Sequence, residues 1–195
     1  MKTNNANLDF IHLKMQYDIH THIHRYSCWT ASRAASTSKN NRFTVETGQK
    51  ILENAAIRNL ILNPNSLPEN KVEFDNQHKI WREEIIGFSE KIANEKFSHG
   101  IAAKMINIYL KSIIICGGFH EHPNSKFIHP PIDSILLKEL YEANFNNKAD
   151  FWLNAQKIAW SNFDSNDYQN VINEIRIGLK GNPLWSIEKY WKGHR

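Results

Sequence analysis

Apolar residues recur at helical spacing along nearly the whole chain, and nowhere do they alternate as a half-buried strand requires. That pattern excludes sheet-based folds, and clusters of Pro, Gly and Asn punctuate it into segments. A first helix is predicted over about Tyr17 to Ser36, with Ile19, Ile23, Tyr26 and Thr30 on one side. The run Ala31-Ser32-Arg33-Ala34-Ala35 at its end is small enough for close helix contact. After the polar loop Thr37 to Arg42, Thr44 is placed to cap a helix carrying Val45, Ile51, Leu52 and Leu60. Asp75 is expected to cap a longer helix with Trp81, Ile85, Phe88 and Ile92. A turn from Asn94 to His99 leads into Ile101, Met105, Ile108, Tyr109 and Ile113, ended by Gly117-Gly118. Asp133 opens the next helix, followed by Phe151 to Trp160, by Tyr168 to Leu179 with Ser165 as cap, and by Pro183 to Trp191.

The expected fold class is therefore all-α. At 195 residues and 41 % hydrophobic, the chain suffices for one compact helical domain over 1–195, or for two small lobes sharing a cleft, and is too short for an α/β barrel. A net charge of +4 and a pI of about 9.0 permit a polyanionic partner without requiring one. Cys28 and Cys116 give no disulfide framework, and Met1-Lys2-Thr3-Asn4-Asn5-Ala6 lacks the apolar core of a signal peptide. The longest aliphatic run, Ile113-Ile114-Ile115, is far shorter than a bilayer span. A reducing, cytoplasmic setting is expected.

The segment Gly100-Ile101-Ala102-Ala103-Lys104-Met105-Ile106-Asn107 places a lysine within an apolar helix, and Pro130-Pro131-Ile132-Asp133-Ser134 places an aspartate at the start of the next. Desolvation of an amine lowers its pKa and raises its free-base fraction, as a nucleophilic lysine requires. Each residue also has an ordinary role. Lys104 can lay its stem on the core with its head in water, and Asp133 is a good N-cap. The two gain chemical meaning as a pair.

The pair and its framing resemble the helix-hairpin-helix DNA glycosylases, especially the 8-oxoguanine glycosylase and archaeal GO-glycosylase branches. Members carry a hairpin ending in Gly-x-Gly, a catalytic Lys two residues later, and a Pro-Val-Asp segment. Gly100-Ile101-Ala102-Ala103-Lys104 is similar to the hairpin end and Pro131-Ile132-Asp133-Ser134 to the Asp segment, within about 76–143. Ser98-His99-Gly100-Ile101-Ala102 stands where the family has Leu-Pro-Gly-Val-Gly, so one glycine is kept, and Ile108 stands where the 8-oxoguanine branch has Cys. The resemblance implies a two-lobed helical fold and a bifunctional glycosylase/AP lyase needing no cofactor or metal. Its partner would be duplex DNA with a flipped, oxidised purine, met by a cytoplasmic, nucleoid-associated monomer. Lys104 and Asp133 would be catalytic. His99, Gly100 and Ala102 would hold the DNA backbone through a helix start, with Arg42, Lys96, Lys111 and Lys126 guiding it. Phe119 would stack on the flipped base, with Trp185 and Trp191 as the other aromatic choices.

Two further classes stay open. A relative that binds nucleic acid without catalysis fits the altered hairpin. A helical metal-dependent hydrolase would use His20, His24 and Cys28, which share a helix face, or Cys116, His120, His122 and His129.

Overall fold

The computed structural model describes residues 17–37, 42–61 and 63–193, and every regular element among them is a helix. The expectations for Met1 to Ala6, and for 38–41 of the polar loop, lie outside the described residues. Helix α1 (Ile19–Ala35) starts at Asp18, whose carboxylate accepts the Thr21 N–H at 2.7 Å. It buries His24, Ser27, Cys28, Ala31, Ser32 and Ala35. Of the stripe Ile19, Ile23, Tyr26 and Thr30, Ile19 and Tyr26 are exposed, whereas Ile23 and Thr30 are half-buried and Ile23 packs against the core. The small residues face inward because they let the α1 backbone approach α4 (His99–Leu110), so that many short contacts replace a few large side chains.

Thr44 caps α2 (Val45–Asn54) as its hydroxyl accepts the Thr47 N–H at 3.1 Å; α2 ends before Leu60, which falls in a 3₁₀ segment, Ala56–Ile61. Helix α3 (Lys71–Ala93) starts five residues earlier than the Asp75 expectation, because Asn70 Oδ1 accepts the N–H groups of Val72 and Glu73, each at 3.0 Å. Asp75 is thereby released to face inward. α4 continues through a π-helical segment, Lys111–Phe119, and the chain leaves it at Gly118, whose φ of 95° suits glycine. Together His99–Phe119 has a mean hydropathy of 1.4, enough by length and composition to cross a bilayer, but 67 % of that stretch is buried among other helices. Counting only Ile113 to Ile115 underestimates it; the apolarity belongs to the central helix.

Asp133 caps α5 (Ser134–Glu142). Left-handed Asn144, Asn146 and Asn147 then turn the chain into α6 (Ala149–Ile158), and Ala159, with φ of 68°, turns it out. Asp164, not Ser165, caps α7 (Ser165–Leu179), through reciprocal bonds with Asp167. The last segment, Leu184–Tyr190, is 3₁₀ and packs against α5 and α7.

Candidate active site

Lys104 reaches its position because the first turn of α4 lies hard against 160–163. The Gly100 N–H donates to Phe163 O at 3.1 Å, and a Cβ on Gly100 would stand 1.7 Å from Trp160 O. Only glycine allows that approach. It brings the Trp160 ring beneath the lysine, whose Nζ lies 4.2 Å from the ring centroid. On its other side Nζ is 3.7 Å from Asp133 Oδ2, an ion pair longer than a hydrogen bond, with side chains 7 % and 16 % exposed. Burial lowers the Lys104 amine below its ordinary range, and the Asp133 carboxylate only partly opposes that.

Asp133 is both cap and partner. Oδ1 accepts the Leu136 N–H at 2.9 Å, and Oδ2, the oxygen nearer Lys104, accepts the Trp191 indole N–H at 3.0 Å. The pair opens on a cavity of about 460 Å³ walled also by Trp160, Trp191, Lys111 and Glu188. Lys111 pairs with Glu188; burial raises the Glu188 carboxyl, and Lys111 opposes the rise. The cavity thus offers a partly desolvated amine, an acceptor carboxylate beside it, indole walls, and a second donor–acceptor pair.

Behind it runs a buried polar chain. Asn107 lies one turn after Lys104 on α4, and its Nδ2–H groups donate to Pro130 O at 2.8 Å and to the Tyr168 hydroxyl at 2.9 Å. Since Pro130 O can only accept, Asn107 Oδ1 must face His78, whose Nε2–H donates to it at 2.8 Å. The Tyr168 hydroxyl meets His129 Nδ1 at 3.0 Å, and His129 Nε2 meets Asp75 Oδ1 at 2.9 Å. Burial favours a raised Asp75 carboxyl, but bonds from His129 and Arg176 together hold it below its ordinary value. An ionised Asp75 makes His129 Nε2–H a donor and Nδ1 the acceptor of the tyrosine proton. Burial lowers His129 to about 4 and His78 well below its usual value, so both are neutral near pH 7. The chain ties α3, α4 and α7 to the segment that ends in Asp133.

The sequence-predicted residues divide sharply. Lys104 and Asp133 come together, and Trp191 joins them. Gly100 and Ala102 are buried, and their N–H groups donate to Phe163 O and Ser98 O, while Ile101 N–H donates to Ser98 Oγ. Those donors are engaged inside the fold and do not face a phosphate. His99 is half-buried and lines a separate cavity of about 710 Å³ with Phe163 and Asp164. Phe119 ends the π-helical segment, 43 % exposed, and is not in the wall of the Lys104 cavity; neither is Trp185. Of the four guiding cations, Lys111 is bound by Glu188, Lys96 pairs with Glu90 at 3.4 Å, Lys126 lies over the Phe127 ring, and Arg42 is exposed.

The histidine sets do not assemble either. His24 touches Cys28 at 3.6 Å and meets the Tyr109 hydroxyl at 2.9 Å, but His20 is exposed; His129 belongs to the buried chain while Cys116 is exposed. Among the described residues no group of three or more His, Cys, Asp or Glu is placed to hold a metal ion. Sequence reasoning missed Trp160, Glu188 and Asn107. Asn107 carried a signal, a lone amide in the apolar run Met105-Ile106-Asn107-Ile108, whereas Trp160 depends on the turn at Ala159 and Glu188 on a long-range return of the chain. Compared with known proteins, the chain matches no family model, no curated protein and no solved structure.

Proposed function

We propose that this chain is a bifunctional DNA glycosylase with AP lyase activity, acting on an oxidised purine through a Lys104 Schiff base. The observation that carries the reading is the buried Lys104 amine facing Asp133 at the wall of a cavity of about 460 Å³. That volume is within the range of small-molecule sites, roughly 300–1,000 Å³. The similarity of the Gly100–Lys104 and Pro131–Ser134 segments to the glycosylase hairpin and aspartate segment supports the same reading.

The damaged nucleotide enters the cavity extruded from the duplex, where a mispaired or lesioned base costs least to unstack. The neutral Lys104 amine attacks C1′; the bond from C1′ to the base breaks with its electron pair going to the base, and Asp133 takes the amine proton. Asp133 returns that proton to O4′ as the C1′–O4′ bond breaks, which leaves an iminium between Nζ and C1′. The displaced base, which left as an anion, takes the C2′ proton, and the resulting enamine expels the 3′ phosphate and so cleaves the strand. Trp160 and Trp191 supply flat walls for the base, and Lys111 with Glu188 supplies one donor and one acceptor for its edge.

Borohydride trapping on duplexes carrying 8-oxoguanine or an abasic site tests the reading, with Lys104→Gln alongside. The expected result is a covalent adduct from the native chain that the variant does not form. No adduct from the native chain on either duplex, with DNA binding retained, would leave a nucleic-acid-binding protein without this chemistry.

A further inference from the structure

The outer face of α1 does not look like a surface left to water. His22, Tyr26, Trp29 and Arg33 lie along one side of it, with Tyr26 59 % and Trp29 48 % exposed. The two rings are 6.3 Å apart between centroids, and the Arg33 guanidinium lies 5.9 Å from the Trp29 ring. Between Ile19 and Ala35 the helix has three histidines, Arg25 and Arg33, and no Asp or Glu. An aromatic stripe with cations and no carboxylates suits a polyanion whose units have flat faces.

This face continues into the site already described. A cavity of about 680 Å³ lies between α1 and the π-helical segment, lined by His22, Tyr26, Thr30 and Cys116 among others. It shares Ile108 and Lys111 with the Lys104 cavity, so a chain seated in one leads directly into the other.

We propose that the groove between α1 and the π-helical segment, with the aromatic stripe beside it, binds unpaired nucleotides next to the one held in the Lys104 cavity, with bases on Tyr26 and Trp29 and the phosphate backbone near Arg33. The position of the neighbouring nucleotide rests on the glycosylase reading of the Lys104 cavity; the single-strand site itself is measured without chemistry. The preferred substrate is then a lesion in single-stranded or locally opened DNA rather than in intact duplex.

Fluorescence anisotropy with a labelled single-stranded oligonucleotide, and with its matched duplex, tests this on the full chain and on Tyr26→Ala, Trp29→Ala and Arg33→Gln. Both aromatic positions are exposed, so these variants keep the fold. Loss of one stacking residue is expected to weaken single-strand binding about 5- to 150-fold. Arg33→Gln is expected to lower the salt dependence by about one phosphate contact. Equal affinity for single strand and duplex, unchanged binding by Tyr26→Ala and Trp29→Ala, or a native dimer that Tyr26→Ala dissociates would each overturn the proposal. Failure of the glycosylase reading has a different signature: single-strand binding intact, and no borohydride adduct from the native chain on lesion-bearing single strand or duplex.

Discussion

Asn107→Ala should be among the most damaging single changes in the chain, although Asn107 touches neither Lys104 nor Asp133 in any bond described above. Its amide makes three hydrogen bonds in a fully buried setting, to His78, Pro130 and Tyr168. Truncation leaves the His78 Nε2–H without an acceptor and removes the donor to Pro130 O. Moving the His78 proton to Nδ1 gives no relief, because Nδ1 has no partner either. The Tyr168 hydroxyl still donates to His129 and loses only an incoming bond. Two stranded groups at about 1–3 kcal/mol each give a loss of about 2–6 kcal/mol, a large share of a typical folding free energy. With a urea dependence of about 3 kcal/mol per molar for a chain this size, the unfolding midpoint falls by about 0.7–2 M. Urea titration followed by tryptophan fluorescence reads this directly. The double variant His78→Phe/Asn107→Leu removes the stranded donor and leaves only the Pro130 carbonyl, so it should recover about half of the loss. A midpoint shift below about 0.3 M for Asn107→Ala would mean that the network relaxes or hydrates, and that it does not hold the Pro130–Asp133 segment.

Gly100→Ala drives a methyl to within 1.7 Å of Trp160 O, so the backbone at 160–163 must move. Overpacking of this kind costs about 1–3 kcal/mol or more, at about 2–4 °C of melting temperature per kcal/mol for a chain of this length. The Lys104 adduct should be lost with it, because Trp160 is a wall of the Lys104 cavity and moves with that segment; an unchanged melting temperature with a normal adduct would remove Gly100 from the argument. Stability should also fall on mild acidification. Burial depresses His129 from 6.5 to about 4, so between those values the unfolded chain binds a proton that the native chain does not. Stability is therefore full above about pH 7 and declines as pH falls through 6.5 towards 4, by on the order of 3 kcal/mol, with His78 adding in the same direction. Urea midpoints at about pH 7 and about pH 4.5 measure it, and equal midpoints would show that the buried imidazole accepts its charge.

What the sequence made legible was what local chemistry decides. The helical period, the Thr44 and Asp133 caps and the Gly117-Gly118 exit each depend on a few neighbouring residues. Failures began where two local signals competed or where distance mattered. Asn70 outcompetes Asp75 as a cap because its amide oxygen takes two N–H groups at once, and nothing in the spacing reveals that Asp75 is needed by His129 and Arg176. The inward face of α1 was legible in part: the small run at its end pointed to close helix contact, and Ala31, Ser32 and Ala35 are buried, but His24 and Ser27 carried no such mark. Hydrophobic period marks the stripe of larger residues, whereas close packing on an apolar α4 selects the small ones. Within the site, Lys104 and Asp133 were visible as a motif, and Trp160 was not, since its place depends on one residue, Ala159, held in a left-handed conformation that alanine seldom adopts.

The arrangement around Lys104 has a consequence for how reactivity and stability are divided. An amine held this far from water is a liability to the folded state, and its one carboxylate partner is set at 3.7 Å rather than at bonding distance. A closer pair would favour the ammonium and quench the nucleophile. The fold keeps the carboxylate back by occupying it from both ends, with the α5 backbone on Oδ1 and the Trp191 indole on Oδ2. In the proposed mechanism helix capping and catalysis therefore do not compete for Asp133, because the cap supplies the rigidity that maintains the longer spacing. Asn107 does the same from the opposite side, three residues along the helix that carries Lys104, by gripping the carbonyl three residues before Asp133. In the proposed mechanism nucleophile and acceptor are thus held by the α5 backbone, the Trp191 indole and Asn107, which leaves Trp160, Lys111 and Glu188 as the cavity side chains that meet the base.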